Sequence, residues 1–310
     1  MTSIPQPAIL VVCLNPTFQR TMILEHLWEG EVNRCSQYYL DASGKGINVA
    51  RVISQLGGKA IHLTHLGGTR TQELLDLLGE DHIEAVWADS HSPIRTCTTV
   101  INKEHSTTTE LVEEPLPVAV GTDKEIRRLF TETLERVATV VISGTRSGGY
   151  EADLYPDFVR EARLAGKKVI LDIKGNDLLN SLPWGPDVIK PNLSEFAATF
   201  LRGHTVREQE DNHELKEVCV AHMADMWSRY GVASALSRGS RNLWAYGGEG
   251  FFEFEVTPVK ALNTIGCGDA VTAGIAFSLT AGKPFREAVE TGLRCGAANA
   301  RTIRPGTILE

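Results

Sequence analysis

No stretch of this sequence stays apolar for long. The longest run built only of apolar residues covers residues 8–14, far short of the roughly 20 that a membrane-spanning helix needs. The flank before it, MTSIPQP, lacks the positive charge of a signal peptide. The expectation is a cytoplasmic protein with no membrane partner. The six cysteines, Cys13, Cys35, Cys97, Cys219, Cys267 and Cys295, include no CxxC pair, which fits neither a disulfide framework nor a zinc knuckle. They read as reduced thiols packed like small apolar side chains. Positive charge is scarce as well: 31 Lys and Arg against 39 Asp and Glu leave a formal net charge of −8, which argues against an electrostatic nucleic-acid binder. Internal repeats, low-complexity tracts and like-charge blocks are missing, which excludes solenoids and charged tails. Neither GxxxxGK[ST] nor GxGxxG occurs, so the two common phosphate loops are not available.

What remains is an ordinary globular composition, 42% hydrophobic and 23% charged over 310 residues. A chain of that length can bury about three quarters of its unfolded surface around one principal core. Short apolar runs that read as buried strands recur at residues 8–14, 60–66, 138–143, 168–172, 187–190 and 233–237. Between them, residues 47–56, 74–78, 125–137, 155–164 and 216–230 carry apolar stripes at helical spacing. Two further helices are predicted at 269–281 and 285–301. This alternation predicts an α/β fold, a parallel sheet with helices on both faces. Residues 21–40 and 93–112 break the rhythm with extended, Thr-rich segments such as RTCTTVI and STTTELV. They predict antiparallel strands in a small accessory sheet that could serve as a lid.

Two glycine-rich segments carry chemistry. In NTIGCGDAVTAG (residues 263–274), Gly266 and Gly268 precede a small-residue helix beginning near Asp269. Tight turning there exposes N–H groups, and the helix adds its positive dipole end, making a candidate anion hole. An Asp beside it suits a general base for a hydroxyl attacking a phosphoryl group, although the tetrapeptide alone is equally a turn with Asp269 as helix cap. In SGKGINVARVISQLGG (residues 43–58), Asn48 falls in the first turn of the following helix.

With CLNPTFQ (residues 13–19), SGKGINVAR (43–51), KPNLSE (190–195) and IGCGD (265–269), the chain resembles the PfkB, or ribokinase-like, carbohydrate kinase family over residues 8–306. Its nearest resemblance is to the 1-phosphofructokinase and tagatose-6-phosphate kinase branch, whose motifs are TLNPxxD, GGKGINVAR, KPNxxE and VGAGD. The resemblance implies one ribokinase-like domain over residues 1–310, a three-layer α/β/α fold with a mostly parallel sheet, and lid strands inserted at about residues 19–41 and 93–113. It further implies Asp269 as catalytic base and the backbone of Gly266, Cys267 and Gly268 as anion hole. Asn192 and Glu195 would serve Mg²⁺, and Lys190, Asn192, Ser237, Gly239, Thr264 and Asn299 would surround ATP. On the acceptor side it implies Asn15, Gln19, Gly44, Gly46 and Asn48 against the sugar. Arg34, Lys45 and Arg95 would supply cations for a phosphate already on it. A homodimer through the lid is implied too; a monovalent-cation requirement stays open.

Three departures bear on substrate, and a fourth change, at Cys267, is small. Gln19 stands where the family has a sugar-binding Asp, and can donate as well as accept. The loop SGTRSGGY (residues 143–150) replaces SGSLPPG, losing both prolines and gaining Arg146. Glu113 and Glu114 place two acids in the accessory sheet's last segment, and Cys267 replaces the usual Ala. The reading is a MgATP-dependent kinase of a sugar phosphate. The alternatives are a kinase of an unphosphorylated sugar or nucleoside, and a non-catalytic binder of the same fold; a nicotinamide-dependent dehydrogenase would need a fingerprint that is missing.

Overall fold

The structure, a computed structural model, describes residues 7–201, 206–210 and 212–309; residues 1–6, most of the uncharged flank noted above, lie outside it. In chain order the first half runs β1 (Ala8–Val12), β2 (Thr17–Leu24), β3 (Gln37–Ser43), α1 (Lys45–Gln55), β4 (Ala60–Leu66), α2 (Thr71–Glu80), β5 (Glu84–Asp89), β6 (Arg95–Asn102), β7 (Thr107–Val112), α3 (Thr122–Leu134) and β8 (Val137–Ser143). The second half runs α4 (Leu154–Leu164), β9 (Lys168–Asp172), α5 (Gly175–Ser181), β10 (Val188–Ile189), α6 (Leu193–Phe200), α7 (His213–Tyr230), β11 (Ala233–Arg238), β12 (Arg241–Gly247), β13 (Gly250–Phe254), α8 (Cys267–Thr280) and α9 (Phe285–Ala300).

Among the described residues these strands form a nine-stranded sheet, β13-β12-β11-β10-β9-β8-β1-β4-β5, and a four-stranded sheet, β3-β2-β6-β7. β1 is buried at every position because β4 and β8 pair with it in parallel on either side. Its side chains alternate between two cores. Leu10 and Val12 pack with Phe130, Phe158, Phe196 and Met223 from α3, α4, α6 and α7. Ile9 and Val11 pack with Ile47, Ile53, Ile275 and Val289 from α1, α8 and α9. Helices on both faces of a mostly parallel sheet give the expected three layers.

The structure corrects the reading of the smaller sheet. Its strands were expected to be antiparallel, yet β2 pairs with β6 in parallel, Gln19 opposite Cys97. β2 and β6 each follow a strand of the main sheet, β1 and β5, which run the same way, so they leave it side by side in one direction. Only the return strands β3 and β7 are antiparallel to them. The main sheet also ends in an antiparallel hairpin, β12–β13, at one edge, and gains β5 at the other; neither edge was among the expected strands. The six cysteines are unpaired, and no helix among the described residues is long and apolar enough to cross a membrane.

α8 and α9 lie against each other through glycines: a Cβ on Gly274 would come within 2.7 Å of the Gly292 Cα. In Gly274→Ala the helix-propensity gain is at most about 1 kcal/mol, whereas forcing two backbones apart costs about 1–3 kcal/mol. Gly274→Ala is expected to lower the urea midpoint without changing the slope; a raised midpoint would contradict the close approach.

Candidate active site

The order of the main sheet reverses at β1: the chain passes outward through β4 and β5 on one side, then resumes at β8, β9 and β10 on the other. That reversal opens a crevice at the carboxyl ends of the strands, where open α/β sheets take ligands. A cleft of about 420 Å³ lies there, with Asn15, Lys45, Arg95, Thr145, Asp172 and Glu195 in its walls. Beyond β1, Asn15 donates to the Thr145 hydroxyl beyond β8 at 3.3 Å, which ties the two strand ends together.

At the bottom sits Asp172, the last residue of β9 and nearly inaccessible. Its Oδ1 is 3.5 Å from Lys45 Nζ and its Oδ2 is 3.5 Å from Lys190 Nζ. The Thr272 hydroxyl donates to Oδ2 at 2.9 Å. Burial alone would raise its pKa, but Lys190, Lys45 and the Thr272 bond hold it below the usual value. Lys45, the first residue of α1, reaches on to Glu195 Oε1 at 3.3 Å. Burial opposes its charge, yet Asp172, Glu195 and Asp269 raise its pKa further above the ordinary value.

Asp269 occupies the first turn of α8. The helix is entered through Gly266 at φ 82°, and a Cβ there would lie 2.8 Å from the Gly306 nitrogen, so the sharp turn exposing the 266–268 backbone demands glycine. Asn48 Nδ2 donates to Asp269 Oδ2 at 2.8 Å. Burial, reinforced by the neighbouring Asp172 anion, lifts the Asp269 pKa to about 6 against the lowering pull of Lys45, the Asn48 bond and Lys190. A carboxylate poised there accepts a proton near neutral pH.

The structure thus brings together Asp269, Asn48, Lys45, Asn15, Arg95, Glu195 and Lys190, with Gly44 and Gly46 opening α1 beside them and Lys190 Nζ close to Gly268. Asn192 and Glu195 form a reciprocal capping box at the start of α6: Asn192 Oδ1 accepts from Glu195 N at 2.8 Å, and Glu195 Oε2 accepts from Asn192 N at 3.1 Å. Asn192 also bridges to Ser237, placing both at adjoining strand ends. Gly239 is an exposed turn residue at φ 60°, and Thr264 is exposed with its carbonyl accepting from Cys267 N.

Other expected contacts fall elsewhere. Arg34 is exposed in the β2–β3 connection and does not line the cleft. Gln19 is buried inside the smaller sheet, donating to Thr99 Oγ1 at 2.7 Å. Asn299 is buried and spent on the chain itself: it donates to the Ile265 carbonyl and Cys267 Sγ and accepts from Thr307 N. Arg146 braces its own loop through Asp177 and the Tyr150 carbonyl. Glu113 accepts from Thr96 N and from Arg95 through its carbonyl, while Glu114 lines the cleft. Asp172, Thr272, Thr145 and Lys174 were not among the expected residues. For Asp172 the signal was an acidic residue closing the apolar run Val169, Ile170, Leu171 at the carboxyl end of a predicted parallel strand.

The raised pKa of Asp269 makes its charge a cost to folding. Below about 3.8, its ordinary value, both states keep the proton; between there and about 6 only the folded state does, so stability falls as pH rises through that window. The cost above it is on the order of 3 kcal/mol. Asp269→Asn is expected to raise unfolding free energy at pH 8 by about 1–3 kcal/mol, with the gain fading toward pH 4. Equal stability of the two proteins at pH 8, in urea titrations, would contradict a costly buried carboxylate.

Comparison with known proteins agrees with this architecture. The tagatose-6-phosphate kinase of Staphylococcus epidermidis is 28% identical over 302 residues, covering 97% of this chain and 94% of that protein. A Thermotoga maritima protein named a possible 1-phosphofructokinase superposes with a TM-score of 0.85 at 24% identity, over 96% of this chain and 93% of its own. Phosphofructokinase-2 of Escherichia coli does so with 0.82 at 22% identity, over 95% and 94%. The family model for pfkB family carbohydrate kinases matches residues 10–310: the chain belongs to that family and is an ATP-dependent sugar kinase.

Proposed function

We propose that this kinase transfers the γ-phosphoryl group of MgATP to a hydroxyl of a sugar phosphate, as the names of its tagatose-6-phosphate kinase and phosphofructokinase relatives suggest. One observation carries the reading: a carboxylate poised near pH 6 sits beside a cleft whose walls hold Lys45, Lys174 and Arg95. Arg95 keeps a buried Nε without a hydrogen-bond partner, and Asn15 a buried Oδ1. Both are groups a phosphorylated sugar can satisfy. A structure of E. coli phosphofructokinase-2 with fructose 6-phosphate agrees with such an acceptor.

In this mechanism Asp269 takes the proton of the attacking hydroxyl, and the backbone amides of Gly266 and Gly268, at the positive end of α8, face the charge that develops on the transferred group, the Cys267 amide being engaged by the Thr264 carbonyl. Lys190 and Lys45 add positive charge on either side of Asp172. Among the described residues no cluster of three or more acidic, His or Cys side chains could cage a metal. That suits Mg²⁺ carried by nucleotide phosphates and water, with one protein carboxylate beside it. Glu195 fits that role; Asn192, whose carboxamide is engaged in the cap, positions Glu195. Bound Mg²⁺ would neutralise phosphate charge. The smaller sheet, with Val112 and Glu114 at the cleft wall, would act as a lid excluding water. Its exposed Trp28, Tyr38 and Leu111 would cover one another in a homodimer.

Glu114 in the cleft favours a second reading, a neutral sugar or nucleoside as acceptor, because a carboxylate repels a phosphate. ADP release is to be followed with MgATP against fructose 1-phosphate, fructose 6-phosphate, tagatose 6-phosphate, their neutral parents, ribose and nucleosides. Potassium is present or omitted, since one structure of the E. coli enzyme holds that ion. Turnover confined to phosphosugars is the expected result; turnover confined to neutral acceptors would establish the second reading. Asp269→Asn is expected to lower kcat by about 10²–10⁴-fold, and near-normal turnover would remove Asp269 as base. Arg95→Ala is expected to raise KM for the phosphosugar about tenfold or more with little change in kcat.

A further inference from the structure

Arg51 lies outside the cleft and is 1% exposed. A guanidinium cannot shed its proton in a protein, so burial demands acceptors on every side. Its Nε donates to Asp81 Oδ2 at 2.7 Å. Nη2 donates to the Ala42 carbonyl near the end of β3, and Nη1 to the Pro305 carbonyl at 2.8 Å. Nη1 is also 3.3 Å from Asn48 Oδ1. Asp81 is held from the far side by Arg304, at 2.8 Å, and Arg304 pairs with Asp41 of β3 at 2.6 Å. Two arginines and two aspartates thus join α1, the end of α2, the smaller sheet and the turn after α9.

The contact with Asn48 matters most, because a carboxamide has two ends. Its Oδ1 accepts from Arg51 Nη1 and from the Ser43 hydroxyl at 3.0 Å, and only then does its NH₂ face the Asp269 carboxylate. A flipped carboxamide would set oxygen against carboxylate and NH₂ against guanidinium. Behind it, a Cβ on Gly306 would lie 2.7 Å from the Asn48 Cα, so Asn48 has no room to retreat. We infer that Arg51 is a positioning residue for catalysis: it fixes the polarity of the Asn48 carboxamide so that a hydrogen-bond donor always meets the carboxylate of Asp269.

The inference rests on Asp269 being the base. The charged and titratable groups around Asp269 are Lys45 from α1, Asp172 from the end of β9, Lys190 beyond β10, Cys13 beyond β1 and Cys267 on its own helix. None of these is touched by Arg51. Arg51 reaches the Asp269 carboxylate through Asn48, and reaches the Gly266 turn through the Pro305 carbonyl, a route that Ser43→Ala leaves untouched. Losing one hydrogen bond to a carboxylate moves its pKa upward by about one pH unit.

The test is the pH dependence of kcat/KM between pH 5 and 8.5 in the wild type, Arg51→Lys, Ser43→Ala and Asp81→Asn, with melting temperatures alongside. In Arg51→Lys, which keeps the charge but cannot reach all four acceptors, the acid limb is expected to move up by about one unit. kcat/KM at pH 6 then falls several-fold more than at pH 8.5. Ser43→Ala, a one-oxygen change that removes the second donor to Asn48, is expected to shift the limb the same way by less. Asp81→Asn breaks the buried ion pair and lowers the melting temperature, but keeps the Asn48 contact, so its limb is expected to coincide with the wild type. The inference is overturned if the limb of Ser43→Ala and of folded Arg51→Lys superimposes on the wild type. It is overturned equally if Asp81→Asn shifts the limb as far, since loosened packing would then explain the effect. Failure of the base assignment looks different: Asp269→Asn itself would stay active and keep the acid limb.

Discussion

The site depends on one buried carboxylate. Asp172 ends a strand in which Val169, Ile170 and Leu171 are core, and an ionised carboxylate at such depth is strongly unfavourable without paired cations and hydrogen bonds. The chain answers with Lys45 from the first turn of α1, Lys190 from beyond β10 and Thr272 from α8. Those partners are separated from Asp172 by 127 residues for Lys45 and 100 for Thr272, so satisfying one charge assembles four distant segments at one point. Asp269 lies one turn before Thr272 on α8, and the fixed anion beside it, added to burial, is what keeps its carboxyl near neutrality. The same contact therefore organises the cleft and tunes the group that would do its chemistry.

Much of this was legible because the relevant signals are local. The run 168–172 coincides with β9, and the stripe before residue 164 ends with α4; burial on both faces makes the strands of a parallel sheet mostly apolar, which marks them in sequence. Positions around Asp269, Asn48 and Lys45 were legible because glycines mark helix starts, and helix starts are where amides face a ligand. What stayed hidden depends on pairing across the fold. The parallel partnership of β2 and β6 follows from how the two leave the main sheet, which no short segment encodes. The hairpin β12–β13 at the sheet's edge, with partly exposed residues, shows weaker patterns than the central strands. Asp172 could be located in sequence but not weighted, since its importance comes from Lys45 and Lys190.

The departures noted in the sequence divide when placed in space. Gln19 makes its bond to Thr99 within the smaller sheet, so the position expected to meet the sugar is here used to join two strands. Arg146 is likewise consumed by its loop, through Asp177. Asn299, expected near the nucleotide, clamps the segment that leads into α8 and so shapes the 266–268 turn from behind. Arg95 and Glu114, by contrast, stand together at the cleft wall. The balance of those two charges is where acceptor choice would be decided, because a phosphate is attracted by one and repelled by the other.

On the proposed mechanism, the cleft at the ends of β1, β8 and β9 holds an acceptor hydroxyl between Asp269 and the phosphoryl group it attacks. A crystal structure with a non-hydrolysable ATP analogue, Mg²⁺ and the best acceptor tests this most directly. Expected is an acceptor hydroxyl within hydrogen-bond distance of an Asp269 carboxylate oxygen, in line with the γ-phosphorus, and the γ-phosphate against the 266–268 turn. An acceptor bound away from Asp269, or a γ-phosphate seated elsewhere than that turn, would contradict it.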